Sequence, residues 1–158
     1  MNSFITDRNF YKVGMTLDTR RHGAMIYENI QMLASNLGHA SDLITPKRDV
    51  SSHPACKLWK GWERSHACYI NSLLRAWYDK GYKSDINRKN MEFLQGTIEY
   101  THSGSPMSTF PDWITDELIM THRSVLIQKK PEYYKPLWPD VPDDLKMRYD
   151  WRKGEVKS

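Results

Sequence analysis

The sequence predicts an all-α protein: a compact single-domain helical bundle with long loops, an extended N-terminal arm and a C-terminal tail rich in proline and aromatic residues. Three observations predict it. Apolar residues recur at helical spacing in several stretches, no stretch alternates convincingly like a half-buried strand, and glycine or proline punctuates the helical stretches. At 158 residues the chain, 1–158, reads as one domain, long enough to bury a core without disulfides.

The elements follow in order. Met1 to Met15 carries Phe4, Ile5, Phe10, Tyr11 and Val13 without a clean period and reads as an extended arm (1–15) packed on the body. A central helix then begins near Thr16 or Asp18, either of which can cap free N–H groups, and stops at Gly38. Ile26, Ile30, Leu33 and Leu37 make its core stripe. Leu17, Arg21, Met25, Glu28 and Met32 make a second, mixed face. Arg21 and Glu28 lie two turns apart on that face, about 10 Å at 1.5 Å per residue. A charged pair among apolar neighbours marks either a bridge to another element or a site.

After a polar loop over 39–52, Pro54 starts a short helix that Gly61 interrupts. A longer helix runs from about Trp62 to Lys80, with Trp62, His66, Tyr69, Ile70, Leu73 and Trp77 on one face and Gly81 as the stop. Met91, Phe93 and Leu94 suggest a further short helix, weakened by Gly96. Residues 101–111, THSGSPMSTFP, read as a flap. The last helix spans about Thr115 to Lys130, with His122 inside its apolar stripe, and Pro131 ends it. The tail, 131–158, holds four prolines and five aromatics up to Trp151, and is expected to wrap the surface and pin itself with its rings.

Composition narrows the function. With 39% hydrophobic and 12% aromatic residues the chain is a folded protein, not a disordered one. A net charge of +4 is compatible with a polyanionic partner but far from a histone-like tail. Cys56 and Cys68 form neither a CxxC motif nor a disulfide framework and read as reduced thiols. No apolar run approaches the ~20 residues of a membrane span and no signal peptide opens the chain, so the expectation is a soluble, cytoplasmic monomer without a membrane partner.

The common catalytic motifs are missing: no phosphate-binding glycine loop, no dinucleotide fingerprint, no HExxH and no GxSxG elbow. The six histidines show no metal-ligand spacing, so neither metal nor cofactor is expected. What remains is a constellation spread over the chain: Arg20, Arg21 and Glu28 from the first helix, His53 from the HPA turn, Glu63 from the second helix, and His122 with Arg123 from the last. Each has an ordinary structural explanation. His53 can close a turn, Glu63 suits a helix start through the dipole, and His122 can be a hydrogen-bonded core residue.

Three blocks carry a resemblance. LDTRRHGAMIYE resembles an LDxRRLGKQRVE segment of a bacterial and phage family. HPACKLWKGWERSHACYINSLLRAWYDKGY resembles its HPAVxMWRGYExALxxYxxxxxxEWxxRGY segment, and THRSVLIQKKPEYYKPLWPDVPDDL its SHRSxLLRKDPExYxxxxPxVPDDL ending. The blocks keep the same order and cover well over half the chain. That family is grouped, more distantly, with the pyrimidine-dimer DNA glycosylases, small all-helical repair enzymes.

The resemblance implies a glycosylase and AP lyase acting on damaged or modified pyrimidines in duplex DNA, in a bacterial or phage-infected cell. In such enzymes an N-terminal α-amine attacks the sugar C1′, the base leaves, and the resulting imine permits β-elimination. An α-amine, with a reference pKa of about 7.7–8.0, suits that task near neutral pH. A carboxylate stabilises charge on the sugar and moves protons. Met1, whose amine the resemblance points to, and Glu28 and His122, taken from the constellation above, are the catalytic candidates. Arg20, Arg21, His53, Trp59, Lys60, Glu63 and Arg123 are the candidates for holding DNA, the cations on phosphate and Trp59 or Trp62 by stacking on bases.

Two departures stand out. The characterised glycosylases carry Arg-Glu where this chain has Arg20-Arg21, which leaves Glu28 as the available carboxylate. Their nucleophile is a threonine exposed by loss of the initiator, whereas Asn2 follows Met1 here, and methionine is usually kept before a bulky residue. The amine then belongs to Met1, or to Asn2 after processing. Two other readings stay open: a DNA-binding relative that has lost the chemistry, serving as a phage or host accessory protein, and an enzyme cleaving an N-glycoside in a nucleotide.

Overall fold

The computed structural model describes residues 1–38, 41–100 and 111–152. Its helices are α1 (Phe10–Thr16), α2 (Thr19–Leu37), α3 (Pro54–Trp59), α4 (Glu63–Asp79), α5 (Asp85–Tyr100), α6 (Asp116–Lys129) and α7 (Pro131–Tyr134). Among the described residues there is no strand, and the all-α class holds. The expected flap lies, except for Pro111, outside the described residues.

Helix α4 is the hub, packed against α1, α2 and α5. Tyr69, Ile70, Leu73 and Leu74 are all fully buried, at the i, i+1, i+4, i+5 spacing that places them along one side of the helix. From α2 come Met25, Ile26, Ile30 and Leu33, so the stripe read from the sequence does face the core. Gly38, at φ +60°, and Gly81, at φ +95°, occupy the positive-φ positions that follow α2 and α4, a conformation open to glycine without a Cβ clash.

The arm of residues 1–15 is corrected: only the first nine residues are non-helical. Phe10, Val13 and Leu17 fall at helical spacing, and the Asn9 side chain accepts the Lys12 N–H to cap α1. Helix α1 crosses α4 so closely that a Cβ on Gly14 would lie 2.6 Å from the Ala76 Cβ. Lys80 binds the crossing together. Its ammonium donates to the carbonyls of Gly14 (2.8 Å) and Leu17 (2.9 Å) and to His22 Nδ1 (2.9 Å).

Helix α5 is longer than Gly96 suggested, because tertiary contacts override one poor helix former. Leu94 is buried, and the Asn90 amide binds both the N–H and the C=O of Ile44. The tail is pinned by rings as expected. Tyr134 is buried and stacked on Trp138, and the Trp151 indole N–H donates to the Arg148 carbonyl.

Candidate active site

The first six residues run as an extended strand of backbone over α2, α4 and α6, and the fold grips them at every step. The Tyr69 hydroxyl donates to the Phe4 carbonyl (2.6 Å), the Ile5 N–H donates to His122 Nδ1 (2.9 Å), and Arg123 Nε donates to the Thr6 carbonyl (2.8 Å). Such bonds satisfy backbone groups that have no helix or sheet to serve them.

Beneath residues 1–3, α2 presents two neighbours, Glu28 and Asn29. Asn29 is fully buried and uses both ends of its amide. Its Nδ2 donates to the carbonyls of Asn2 (3.1 Å) and Met25 (2.8 Å), and its Oδ1 accepts from the Ser3 hydroxyl and from His66 Nε2 (3.0 Å). The Trp59 indole N–H closes the network on Ser3 Oγ (2.9 Å). Glu28 sits at the mouth, 23% exposed, and its Oε1 lies 3.1 Å from the Asn2 N–H and 3.4 Å from the N-terminal ammonium of Met1. Both contacts fall on one oxygen, Oε1.

Two further groups frame the amine. His53 caps α3, its Nδ1 accepting the Ala55 N–H (3.1 Å), and its ring meets Tyr149 edge-on at 5.9 Å. Burial holds the imidazole below its ordinary value and the nearby positive amine adds to that, with Glu28 opposing, so His53 is neutral at pH 7. Tyr149, from the tail, donates its hydroxyl to Asn2 Oδ1. Its own pKa is raised by burial and by the Glu28 charge. Met1 packs its side chain, with Tyr149, on a small apolar cluster of Met32, Val50, Ala55 and Cys56.

Of the residues singled out in the sequence, Met1, Glu28 and His53 therefore meet. His122 lies below them as a support. It is 4% exposed, its Nδ1 lone pair is spent on the Ile5 N–H, and burial lowers its pKa to about 3. A ring so held is neutral at pH 7 and has no exchangeable charge to offer the amine, which removes it as a general acid.

The DNA-holding group divides more sharply. Trp59 cannot stack on bases: it is fully buried, stacked on His66 at 4.3 Å and edge-on to Trp113. Arg21 turns away from Glu28 and pairs with Asp18 (3.3 Å). Arg123 is half-buried between Thr6, Asp7 and the Trp138 ring. Glu63 accepts the Gly61 N–H (3.1 Å), closing the turn before α4. Arg20 and Lys60 are exposed. Lys60 ends α3, where its carbonyl accepts from Arg152 (2.7 Å).

The residues that sequence reading missed are Ser3, Asn29 and Tyr149, and Asn2 was read only as an alternative bearer of the amine. Asn29 adjoins Glu28, but an asparagine in a helix carries no signal of its own, and Tyr149 lies 147 residues from the Asn2 side chain it holds. Among the described residues, no group of three or more His, Cys, Asp and Glu is placed to bind a metal. No described helix is long and apolar enough to cross a membrane. A separate cavity of about 410 Å³ opens between α2, α4 and α5, lined by Tyr27, Ile30, Ile44, Trp77 and Asn87. Its lining holds no charged group, and so no nucleophile and base in reach of each other. Comparison with family models, with curated proteins and with solved structures returns no match to this chain.

Proposed function

We propose that the protein is a DNA glycosylase with AP lyase activity on damaged or modified pyrimidines, working through an imine formed by the Met1 amine. The observation that carries the reading is the 3.4 Å approach of that amine to the partly exposed Glu28 carboxylate. The resemblance in the LDTRRHGAMIYE, HPA and VPDDL blocks supplies the reaction class, and the exposed Arg20 and Lys60 are available to phosphate.

The chemistry runs as follows. The unprotonated amine attacks C1′, the C1′–N bond breaks, and the base departs with the bonding pair and is protonated. Glu28 stabilises the positive charge that develops on the sugar, and takes the proton released by the attacking nitrogen. The ring C1′–O4′ bond then opens, O4′ takes a proton, and an iminium joins the protein to C1′. Loss of a C2′ proton to a base expels the 3′ phosphate. Glu28, once it has passed its proton to O4′, serves as that base.

Borohydride trapping tests the reading. Hydride reduces an iminium to a stable amine, so the protein should become cross-linked to abasic duplex DNA, with the link mapped to the N-terminal residue by mass spectrometry. Acetylation of the N-terminus should abolish it. Absence of a cross-link at any pH between 6 and 9 would reject the lyase. A second reading, a DNA-binding protein without the chemistry, rests on Arg21 standing where the characterised glycosylases carry their catalytic glutamate. It predicts salt-dependent duplex binding with no cross-link.

A further inference from the structure

We infer that Tyr149 is the positioning residue of this site, a latch by which the C-terminal tail fixes the direction of the N-terminal amine. The inference deepens the function proposed above and rests on it for its catalytic arm alone.

A chain terminus is the least constrained part of a protein, with free rotation about several bonds. A nucleophile placed there loses rate unless something removes that freedom. Residues 4–6 are tied by backbone bonds to α4 and α6, but those ties end two residues short of Met1. Asn2 supplies the rest, because three of its polar groups are held, two by α2 and one by the tail. Its N–H donates to Glu28, its carbonyl accepts from Asn29, and its side-chain oxygen accepts from Tyr149. The first two come from α2, which alone would let the segment swing about the helix. The third comes from the tail on the opposite side and closes the clamp.

Tyr149 does more than donate. Its ring shares the apolar seat of the Met1 side chain and meets the His53 ring edge-on. One aromatic residue therefore shares the seat of the nucleophile-bearing residue, bonds the residue after it and meets the nearby imidazole. Tyr149 is held in turn by its flanks: Arg148 pairs with Glu117 (3.0 Å), and buried Trp151 carries Arg148 over its ring at 3.9 Å.

The test uses Tyr149→Phe, which keeps the ring and removes the hydroxyl. Asn2→Leu removes the acceptor while keeping a bulky second residue, so that Met1 is retained; intact mass confirms this. In Tyr149→Phe the maximal trapping rate on abasic duplex should fall about tenfold while the affinity for that duplex stays within about twofold, because geometry and not binding is lost. Asn2→Leu should match it, and the double variant should be no worse than either, since both remove the same bond.

A second measurement does not depend on glycosylase activity. Reductive methylation with formaldehyde should label Met1 about threefold faster in Tyr149→Phe, with lysine labelling unchanged, because a small aldehyde reacts best with an amine no longer held. Slower abasic trapping with faster methylation is a pair of opposite shifts that general destabilisation does not produce. Should the wild type fail to trap, the function falls and the methylation rates alone decide the latch. Wild-type rates in both assays, or additive losses in the double variant, would overturn it.

Discussion

Two carboxylates of the α2 segment, Asp18 at its N-cap and Glu28 at its middle, are treated in opposite ways. Asp18, at the start, is 8% exposed and closed in by its partners: the Tyr134 hydroxyl donates to it, Arg21 pairs with it, and its own N–H donates to the Tyr134 oxygen (3.0 Å). Burial works to raise the Asp18 carboxyl, but the bonds from Tyr134 and Arg21 win and hold it below the usual carboxylate range. Glu28, two and a half turns on, keeps one oxygen on the N-terminal segment and stays partly open to water. A carboxylate whose partners all belong to the fold stabilises the fold. One left partly unsatisfied beside a free amine is the one the proposed mechanism calls on.

The sharpest way to break this comparison is Glu28→Gln. It should lower base release and trapping by about 10²–10⁴-fold, the usual contribution of a positioned acid–base group, with the melting temperature nearly unchanged. Normal turnover in that variant removes Glu28 from the mechanism.

Acid comes next in size, and it acts through buried histidines of α2, α4 and α6. Burial pushes His22 down to about 4 and His122 to about 3, and holds His66 well below the ordinary imidazole value. The folded pKa lies below the unfolded one in each case, so the unfolded chain binds the proton first. Stability is therefore complete above about pH 6.5 and lost as pH falls toward 4, by about 1.4 kcal/mol per pH unit for each such histidine. Urea unfolding at pH 7, 5.5 and 4.5 checks this, and a flat midpoint would contradict the burial.

Asp18→Asn should behave as the inverse of the Glu28 change. Losing charge-assisted bonds costs about 2 kcal/mol of stability, read as a lower urea midpoint, while trapping per folded molecule is unaffected. Gly14→Ala tests the α1–α4 crossing. Its Cβ meets Ala76 at 2.6 Å, and overpacking of that kind costs about 1–3 kcal/mol. The smallest effect belongs to Arg20→Ala, which should leave stability alone and flatten the salt dependence of duplex binding by about one unit of slope.

Much of the scaffold was legible in the sequence because local rules agreed with it. The Ile26–Ile30–Leu33 stripe, the stops at Gly38 and Gly81, and the proline after α6 are each short-range statements about one helix. Helix α1 was not legible: at seven residues it holds Phe10 and Val13 alone of its apolar stripe, too short a pattern to tell from an extended arm. The site was half legible. Glu28 stood out as a charge on an apolar face, whereas Trp59 and Arg21 suggested ligand contacts and turned out to serve the interior. No local pattern tells a tryptophan that stacks on a buried histidine from one that faces solvent. Asn29 and Tyr149 matter only through partners 27 and 147 residues distant in the chain, and such pairings leave no trace in spacing.

The seating of Met1 has a practical corollary. A purification tag or fusion partner placed ahead of it would turn the basic nitrogen into an amide, which is not a nucleophile, and would crowd the opening beside Glu28. Under the proposed imine mechanism such a preparation should melt normally and give no borohydride cross-link. Enzymology on this protein therefore calls for a native first residue, with any handle attached at the other end, beyond the Trp151 anchor.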